Sequence, residues 1–250
     1  MFGGLNNKLD KSLYFVGLKI NIFIFYLIFL ISLVLVSLII FVSSLFFSTS
    51  KVQNIGKVWI LVILKVLKML CGISWNIKGI ENVPKTPFVI ASNHQSSWES
   101  FFLQTLFIPT SSIMKKEILM IPFFGWAIAR LKPISINRKM KIESLKKVIE
   151  MGGARIRDGY AILIFPEGTR KSPEDGIGKF GNSCGLLASK EAVPIVPICH
   201  NSGKYWLNKS FKKKPGEINI VIGKPIYGNN PKELTEDAHQ WITEKYSEIN

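Results

Sequence analysis

The chain has 250 residues, of which 48% are hydrophobic, and its mean hydropathy of +0.25 exceeds that of most soluble domains, so part of it is expected to contact lipid. The formal net charge of +15 predicts an anionic partner, such as a membrane surface, a phosphorylated substrate, nucleic acid or an acidic protein. Three widely spaced cysteines argue against a disulfide framework or a structural zinc site, and they indicate reduced thiols on the cytosolic side of a membrane.

The first predicted element is a membrane helix in the run Ile22–Phe47, which contains no charged residue, Gly or Pro. At about 1.5 Å per residue, its 26 positions would form a helix of roughly 39 Å, longer than the ~30 Å hydrocarbon core of a bilayer. A signal peptide would have a shorter apolar region that ends at a small-residue cleavage site. A helix buried in protein is less favoured, because the run is apolar on all sides. The sequence leaves open whether the run spans the bilayer or re-enters it.

Residues 56–72 predict a second, basic helix. At about 100° per residue, Lys57, Lys65 and Lys68 share one narrow face and apolar residues fill the rest. This pattern is typical of a helix in the membrane interface, although a second transmembrane span would also fit it. Residues 1–74 are therefore expected to anchor the chain in a membrane. The basic remainder, residues 75–250, is expected to form a domain on the cytosolic side.

The domain itself shows an alternation of short apolar runs and helix-like stretches. Strands are predicted at 88–92, 111–114, 161–165, 193–198 and 218–223, and helices at 98–107, 141–151, 182–191 and 232–246. Such alternation predicts an α/β fold, with a mostly parallel central sheet flanked by helices and preceded by the N-terminal membrane helices.

The segment NHQSSWE, at 93–99, follows the first predicted strand and places a histidine and a carboxylate five positions apart. On one continuous helix His94 and Glu99 would lie roughly 140° apart, but across a strand-to-helix turn they can meet. Glu99 would then accept one imidazole N–H and leave the other nitrogen free as a general base. The same residues fit a capping box, Ser-x-x-Glu, in which Glu99 only returns to the backbone N–H of Ser96. The sequence leaves both roles open.

A second segment, FPEGTR at 165–170, predicts an anion-binding site. It follows an apolar strand, where Pro166 ends the strand pairing and Gly168 allows close approach of a ligand to the backbone. Arg170 offers a planar fork suited to a phosphate, and Glu167 is expected to hold that fork in place. The alternative is a surface turn with an ordinary ion pair.

The segment 115–138 combines cations with an apolar stretch that is broken by Pro and Gly. Lys116 and Arg138 would add positive charge to the phosphate pocket. The aromatic residues Phe123, Phe124 and Trp126 could line an acyl groove, but the core is the usual place for such side chains. Core packing is therefore the favoured interpretation for these three rings.

Taken in order, these segments resemble the glycerolipid acyltransferase family, and within it the bacterial 1-acyl-sn-glycerol-3-phosphate acyltransferases. Four blocks between residues 75 and 225 carry the resemblance: NHQSSWE, KKEILMIPFFGW to INR, FPEGTR and VPIVP. The first block implies a catalytic pair, His94 and Glu99. The second and third imply a group that binds the substrate phosphate: Lys116, Arg138, Glu167, Gly168, Thr169 and Arg170. The fourth implies residues near the acyl site: Val193, Pro194, Ile195, Val196 and Pro197.

One position departs from the family pattern, because the family has Asp where this chain has Glu99. Glutamate carries the same charge on a side chain that is one methylene longer, so it can still orient His94 if one of the two side chains shifts.

The resemblance implies transfer of a fatty acyl group from a thioester to the sn-2 hydroxyl of 1-acyl-glycerol-3-phosphate (lysophosphatidic acid), which gives phosphatidic acid for phospholipid biosynthesis. Acyl-CoA or acyl-ACP would serve as the acyl-donor substrate, with no bound cofactor and no metal. The expected partners are membrane lipids, including an anionic leaflet, and an acyl carrier protein or coenzyme A thioester. The basic run 209–214 could meet the donor or form a solvated loop. Nucleic acid is not expected, and the expected location is the cytoplasmic (inner) membrane of a bacterium, with the catalytic domain facing the cytosol.

Three alternatives remain open. The acceptor could be another lysophospholipid or a lyso-ornithine-type lipid. A non-catalytic membrane module that binds lipid would keep its function after His94→Ala. A membrane serine hydrolase is disfavoured, because its nucleophile would need a Gly-x-Ser-x-Gly elbow between a strand and a helix, and no such elbow is predicted.

Overall fold

A computed structural model describes residues 3–85 and 87–250 of the chain, with side chains from residue 16 onward. The residues outside it, Met1, Phe2 and Thr86, fall within the predicted segments 1–74 and 75–250.

Two antiparallel helices form the N-terminal part: α1 (Gly3–Ser43) and α2 (Thr49–Cys71). α1 contains most of the predicted apolar run. Its stretch Val16–Ser43 is long and apolar enough to cross a membrane, judged by length and composition. α2 ends at Gly72, whose φ of 66° is a left-handed conformation that costs glycine little.

One side of α1 packs against the rest of the protein. Phe25 is fully buried in the main hydrophobic core, where its ring meets that of Trp206 with a centroid distance of 5.7 Å. Further along α1, Val36 and Ile40 pack with residues of α2. The other side of α1 exposes a row of apolar side chains: Phe23, Leu27, Leu30, Ile31, Leu35, Leu38, Ile39 and Val42.

α2 divides its surface between protein and solvent. Ile63, Leu64 and Leu67 are buried in the same core as Phe25, and Lys65 and Lys68 are exposed. Protein therefore covers part of the apolar face that the sequence pattern assigns to lipid. The interfacial role of residues 56–72 stays a prediction.

The centre of the remaining chain is a seven-stranded sheet with the order β1-β7-β6-β2-β5-β3-β4. The strands are β1 (Ile73–Lys78), β2 (Val89–Ser92), β3 (Thr110–Lys115), β4 (Ile134–Ile136), β5 (Ala161–Ile164), β6 (Ile195–His200) and β7 (Gly216–Ile222). Every neighbouring pair is parallel except β6 with β7. The predicted α/β class with a mostly parallel sheet is confirmed.

Five further helices complete the fold: α3 (Trp98–Leu106), α4 (Phe124–Arg130), α5 (Lys141–Arg157), α6 (Ser183–Glu191) and α7 (Pro231–Ile249). The helices α1, α2 and α3 bury apolar side chains against one face of the sheet. On the other face, α5, α6 and α7 pack through residues such as Val148, Leu187 and Leu234. The sheet is thus covered on both faces, which explains why its central strands are continuous apolar runs.

Strand order brings the predicted blocks together. β2, β5, β3 and β4 lie side by side and run in the same direction, so their carboxyl ends share one edge of the sheet. The segments that leave this edge are NHQSSWE after β2, FPEGTR after β5, Lys116 after β3 and Arg138 after β4. This edge is where open α/β sheets bind ligands.

Candidate active site

His94 lies just beyond the carboxyl end of β2, and its ring is held on two sides. Nδ1 lies 2.9 Å from Oε1 of Glu99, in the first turn of α3. Phe165, just after β5, stacks on the imidazole with a centroid distance of 4.2 Å and an interplanar angle of 18°. The His94 side chain is only 8% exposed, and no described residue hydrogen-bonds to its Nε2. Nε2 is therefore the nitrogen that can meet a substrate.

Glu99 is fully buried and accepts hydrogen bonds through both carboxylate oxygens. Besides His94, the donors are the backbone N–H groups of Gln95 and Ser96 and the hydroxyls of Ser96 and Ser202. The contact with the Ser96 N–H is that of a capping box. Glu99 therefore makes both contacts that the sequence left open, and its roles in catalysis and capping stay predictions.

The Glu99 carboxyl stays ionised in spite of its burial. Burial raises its pKa, but the neighbouring imidazoles of His200 and His94 and the hydrogen bond from Ser96 lower it further, so that the pKa of Glu99 lies well below its usual range. An ionised carboxylate can only accept, so Nδ1 of His94 carries the proton and Nε2 presents its lone pair. A general base at Nε2 requires this tautomer.

The loop after β5 is hydrogen-bonded to the backbone of His94. Glu167 accepts from the N–H of His94 at 2.8 Å and from the N–H of Gly178 at 2.9 Å, and burial raises its pKa despite these bonds. The N–H of Lys171 donates to the carbonyl of His94 at 2.8 Å. The prediction that Glu167 holds the guanidinium of Arg170 is wrong, because backbone donors occupy the carboxylate. Among the described residues no ion pair joins these two side chains.

The cations predicted to bind phosphate gather at the same edge. The buried Nε of Arg170 has no hydrogen-bond partner among the described residues. Arg138 lies close enough to Arg170 for their charges to interact: partial desolvation and Arg170 lower the pKa of Arg138, while Glu117 raises it. Lys116 is exposed in the turn after β3. Neighbouring guanidinium groups favour a bound dianion such as a phosphate.

Gly168 and Thr169 form the exposed tip of the FPEGTR turn. Gly168 has a φ of 68°, in the left-handed region that favours glycine. A Cβ at this position would meet no heavy atom within 4 Å, so backbone conformation and not crowding explains the glycine.

The fourth block lies within the sheet. Val193 precedes β6, and Pro197 pairs with Ala91 of β2. Because β6 runs parallel to β2, the block Val193–Pro197 occupies the first part of the strand, and the later residues of β6 approach His94. The structure does not bring the block to the imidazole, and its acyl-site role stays a prediction.

Residues after the fourth block complete the site, and the sequence pattern did not identify them. Nε2 of His200, at the end of β6, lies 2.8 Å from the carbonyl of Asn93, and the Asn93 amide exchanges two hydrogen bonds with the backbone of His200. Two residues further, Ser202 donates to Glu99 at 2.7 Å. The signal available was weak: a histidine and a serine at the end of a predicted strand.

A Gly-x-Ser-x-Gly sequence occurs at 181–185, but its context is not that of a serine hydrolase. Gly181 follows a loop instead of a strand, and Ser183 opens α6. No described histidine hydrogen-bonds to Ser183. The segment therefore lacks both the elbow and the base that a nucleophilic serine needs.

The chain is similar to known acyltransferases. The family model described as Acyltransferase matches residues 74–201. The 1-acyl-sn-glycerol-3-phosphate acyltransferase of Pseudomonas aeruginosa is 41% identical over 204 residues, which cover 80% of this chain and 77% of that protein. The chloroplastic 1-acyl-sn-glycerol-3-phosphate acyltransferase BAT2 of Brassica napus is 32% identical over 70% of this chain and 52% of that protein.

The fold is also that of a solved structure. The crystal structure of the 1-acyl-sn-glycerophosphate (LPA) acyltransferase, PlsC, from Thermotoga maritima superimposes with a TM-score of 0.76. The match covers 93% of this chain and 96% of that one, at 22% identity. An α/β sheet whose carboxyl edge carries a histidine–carboxylate pair beside clustered cations fits an enzyme of acyl transfer. The chain belongs to the acyltransferase family.

Proposed function

We propose that the protein transfers a fatty acyl group from a thioester to the sn-2 hydroxyl of 1-acyl-glycerol-3-phosphate, giving phosphatidic acid. The observation that carries the proposal is the His94–Glu99 pair at the same sheet edge as the guanidinium groups of Arg138 and Arg170. The names of the Pseudomonas and Brassica relatives support the same acceptor.

The proton chemistry follows from the tautomer of His94. Nε2 takes the proton of the acceptor hydroxyl while the hydroxyl oxygen attacks the thioester carbonyl. The tetrahedral intermediate then collapses, the carbon–sulfur bond breaks, and the imidazolium returns the proton to the departing thiolate. Glu99 stabilises the imidazolium through Nδ1, as a carboxylate that stays ionised. No acyl-enzyme is formed, because the acceptor oxygen is itself the nucleophile.

The cations position the acceptor. Arg170, Arg138 and Lys116 bind the glycerol phosphate, and the exposed turn of Gly168 and Thr169 lets the phosphate approach backbone N–H groups. Glu167 is not itself a phosphate ligand in this proposal. Its hydrogen bond to the backbone of His94 fixes the position of His94 relative to Arg170, which lies in the same loop as Glu167. Binding of the remote phosphate is thereby converted into orientation of the sn-2 hydroxyl at Nε2.

Donor and location complete the proposal. Acyl-CoA or acyl-ACP supplies the acyl group, and its negative charge matches the exposed lysines of the run 209–214. The exposed apolar side of α1 supports attachment to a membrane. We place the protein at the cytoplasmic membrane of a bacterium with the sheet domain in the cytosol, where both donors are made.

An acyl-transfer assay with lysophosphatidate tests the proposal. Acyl-CoA and acyl-ACP are offered in parallel, and wild type should form phosphatidate with at least one of them. His94→Ala should reduce turnover by about 10²–10⁴-fold, because the general base is lost. Tyr227→Ala, at a residue that is 72% exposed between β7 and α7, is the control and should retain turnover. Equal rates for His94→Ala and wild type would rule out the base, and a preference for other lysolipids in a parallel panel would reassign the acceptor.

A further inference from the structure

An exposed apolar turn projects between β3 and β4, next to the proposed phosphate site. It comprises residues 120–126 and is called the lip below. Four of its side chains are exposed: Met120 (77%), Ile121 (46%), Phe123 (39%) and Trp126 (50%). The expectation of core packing is therefore wrong for Phe123 and Trp126. A contiguous exposed patch of this kind marks an interaction surface.

Backbone constraints hold the lip in shape. Phe123 has φ 61° and ψ −60°, and the N–H of Phe124 donates to the carbonyl of Pro122 at 2.7 Å, which closes a three-residue γ-turn. This conformation is strained for a residue with a Cβ. Gly125 packs so closely that a Cβ would lie 2.3 Å from the carbonyl oxygen of Leu119. A fixed turn therefore presents the exposed side chains outward.

The lip lies beside the apolar helix α1. The buried Ala127, in α4, whose first residues belong to the lip, packs with Val36 and Ile40 of α1. The guanidinium of Arg130 lies 4.9 Å from the centre of the Phe41 ring. The lip and this part of α1 thus belong to one side of the protein, and both expose apolar side chains there.

The charges around the lip favour a lipid surface over a protein partner. Three exposed cations border it, namely Lys115, Lys116 and Arg130. Glu117 is the one acidic residue in the segment 115–132. Apolar and aromatic side chains with a basic rim match an anionic leaflet, where the rings meet acyl chains and the cations meet phosphates. A second copy of this basic chain would instead bring like charges together.

We propose that the lip inserts into the leaflet beside α1 and forms the membrane-facing entrance to the phosphate site. Lys116 and Arg138 flank the connection that carries the lip, so insertion sets these cations at the depth of the lipid phosphates. A lysolipid can then enter the phosphate site laterally from the leaflet, while its acyl tail remains among the acyl chains of the membrane. This last step rests on the proposed function, whereas insertion of the lip does not.

An environment-sensitive fluorophore attached to a single engineered cysteine tests the insertion without requiring turnover. Cys71, Cys184 and Cys199 are buried, so a single engineered surface thiol can be labelled selectively. Met120→Cys reports on the lip and Leu35→Cys on the exposed side of α1. Tyr227→Cys, at a residue that is 72% exposed between β7 and α7, is the matched control.

The labelled full-length proteins are compared in phosphatidylcholine–phosphatidylglycerol vesicles with and without brominated acyl chains. We expect blue-shifted, bromine-quenched emission from positions 120 and 35 and neither effect from position 227. Quenching at position 35 without quenching at position 120 would overturn the proposal. Indistinguishable emission from positions 120 and 227 would overturn it as well.

Kinetics provide the second test. Met120→Ser combined with Trp126→Ser should raise the apparent KM for a long-chain lysophosphatidate in vesicles on the order of tenfold, because two apolar contacts with the leaflet are lost. Turnover of a short-chain, water-soluble lysophosphatidate should stay unchanged. Equal losses with both substrates would contradict a role at the membrane. Absence of transfer with either substrate in wild type would refute the proposed function alone, since the fluorescence result would still decide insertion.

Discussion

The carboxylate of Glu99 serves helix α3 and the imidazole of His94 together. It lies in the first turn of the helix, with the Ser96 N–H on one side and the His94 ring on the other. The carboxylate meets both groups at hydrogen-bond distance, 2.9 Å from Nδ1 of His94 and 2.8 Å from the Ser96 nitrogen. The residue proposed to orient the base therefore also contacts the backbone at the start of α3.

Replacement of Glu99 by Gln removes the charge and keeps the size. We expect turnover to fall by about 10²-fold or more, because nothing ionised stabilises the imidazolium. The free energy of unfolding at pH 7 should fall by about 2–4 kcal/mol, because an amide N–H₂ replaces an acceptor that buried donors surround.

This stability difference has a defined pH dependence. The pKa of Glu99 in the folded protein lies below its unfolded value of about 4.3, so the advantage of wild type is fully present above that pH. This stability advantage is lost as the pH falls toward the pKa of Glu99 in the folded protein. Denaturant unfolding of both proteins at pH 7 and pH 3 measures the change, and an undiminished difference at pH 3 would contradict it.

Arg170 offers a second test at the level of one side chain. Arg170→Ala should raise the apparent KM for lysophosphatidate at least about tenfold and change kcat less, because the lost contact is to the phosphate. Arg157→Ala is the matched control, since Arg157 makes an ion pair with Glu191 at 2.6 Å on the surface. Steady-state kinetics on both variants measure the effect. A loss confined to kcat would place Arg170 at the reacting carbonyl instead.

Sequence reasoning identified the parts of the site that depend on local spacing. His94 and Glu99 are separated by one turn, so their contact could be predicted. The contributions of His200 and Ser202 could not, because they exist only where β6 lies beside β2, more than a hundred residues away in the chain. The role of Glu167 was mistaken for the same reason: its partner is the backbone of His94, which sequence cannot place beside it.

Among the elements, the continuous apolar runs were predicted, and the elements that were missed are short or polar. The strands β2, β5 and β6 could be predicted from the sequence. Both of their faces are covered, so their residues form short apolar runs. β1 was not predicted, since it is an edge strand with Asn76 and Lys78 among its residues. β4 has three residues, and α4 starts within a stretch broken by Pro122 and Gly125, so neither produces a periodic signal.

Two glycines in helices make opposite predictions for Gly→Ala changes. In α2, a Cβ on Gly56 would meet Ile40 at an ordinary 3.7 Å, so Gly56→Ala should stabilise the protein by about 0.5–1 kcal/mol through helix propensity. In α6, a Cβ on Gly185 would lie 1.9 Å from the carbonyl oxygen of Pro231, so Gly185→Ala should force α6 and α7 apart. Unfolding in detergent measures both, and a loss of about 2 kcal/mol or more is expected for Gly185→Ala. A stabilised Gly185→Ala would contradict the close packing of these helices.

At the scale of the whole molecule, a buried lysine contacts α1. The ammonium group of Lys213 donates to the Tyr26 hydroxyl at 2.5 Å and lies 4.4 Å from the centre of the Trp206 ring. It thus joins the loop before β7 to the apolar helix. Burial lowers the pKa of Lys213 to about 8.

This lowered pKa predicts how stability changes at alkaline pH. Between pH 8 and about 10.4 the unfolded chain keeps the proton that the folded protein releases, so the Lys213 contribution to stability rises with pH. Lys213→Met lacks this dependence. The free energy of unfolding of wild type, relative to that of Lys213→Met, should therefore increase between pH 7 and pH 9.5. Parallel pH curves for the two proteins would contradict the prediction.

Phe25 of α1 shares one hydrophobic core with the strands that carry the imidazole, so the apolar helix and the reaction centre move as a single body. Where α1 anchors the protein in a membrane, as proposed above, the reaction centre stays at the adjacent layer of lipid. Encounter with the acceptor is then a search across a surface. Diluting the acceptor within the membrane by adding an inert lipid lowers the reaction rate of such an enzyme. Diluting the vesicles with buffer leaves the rate of the bound enzyme unchanged.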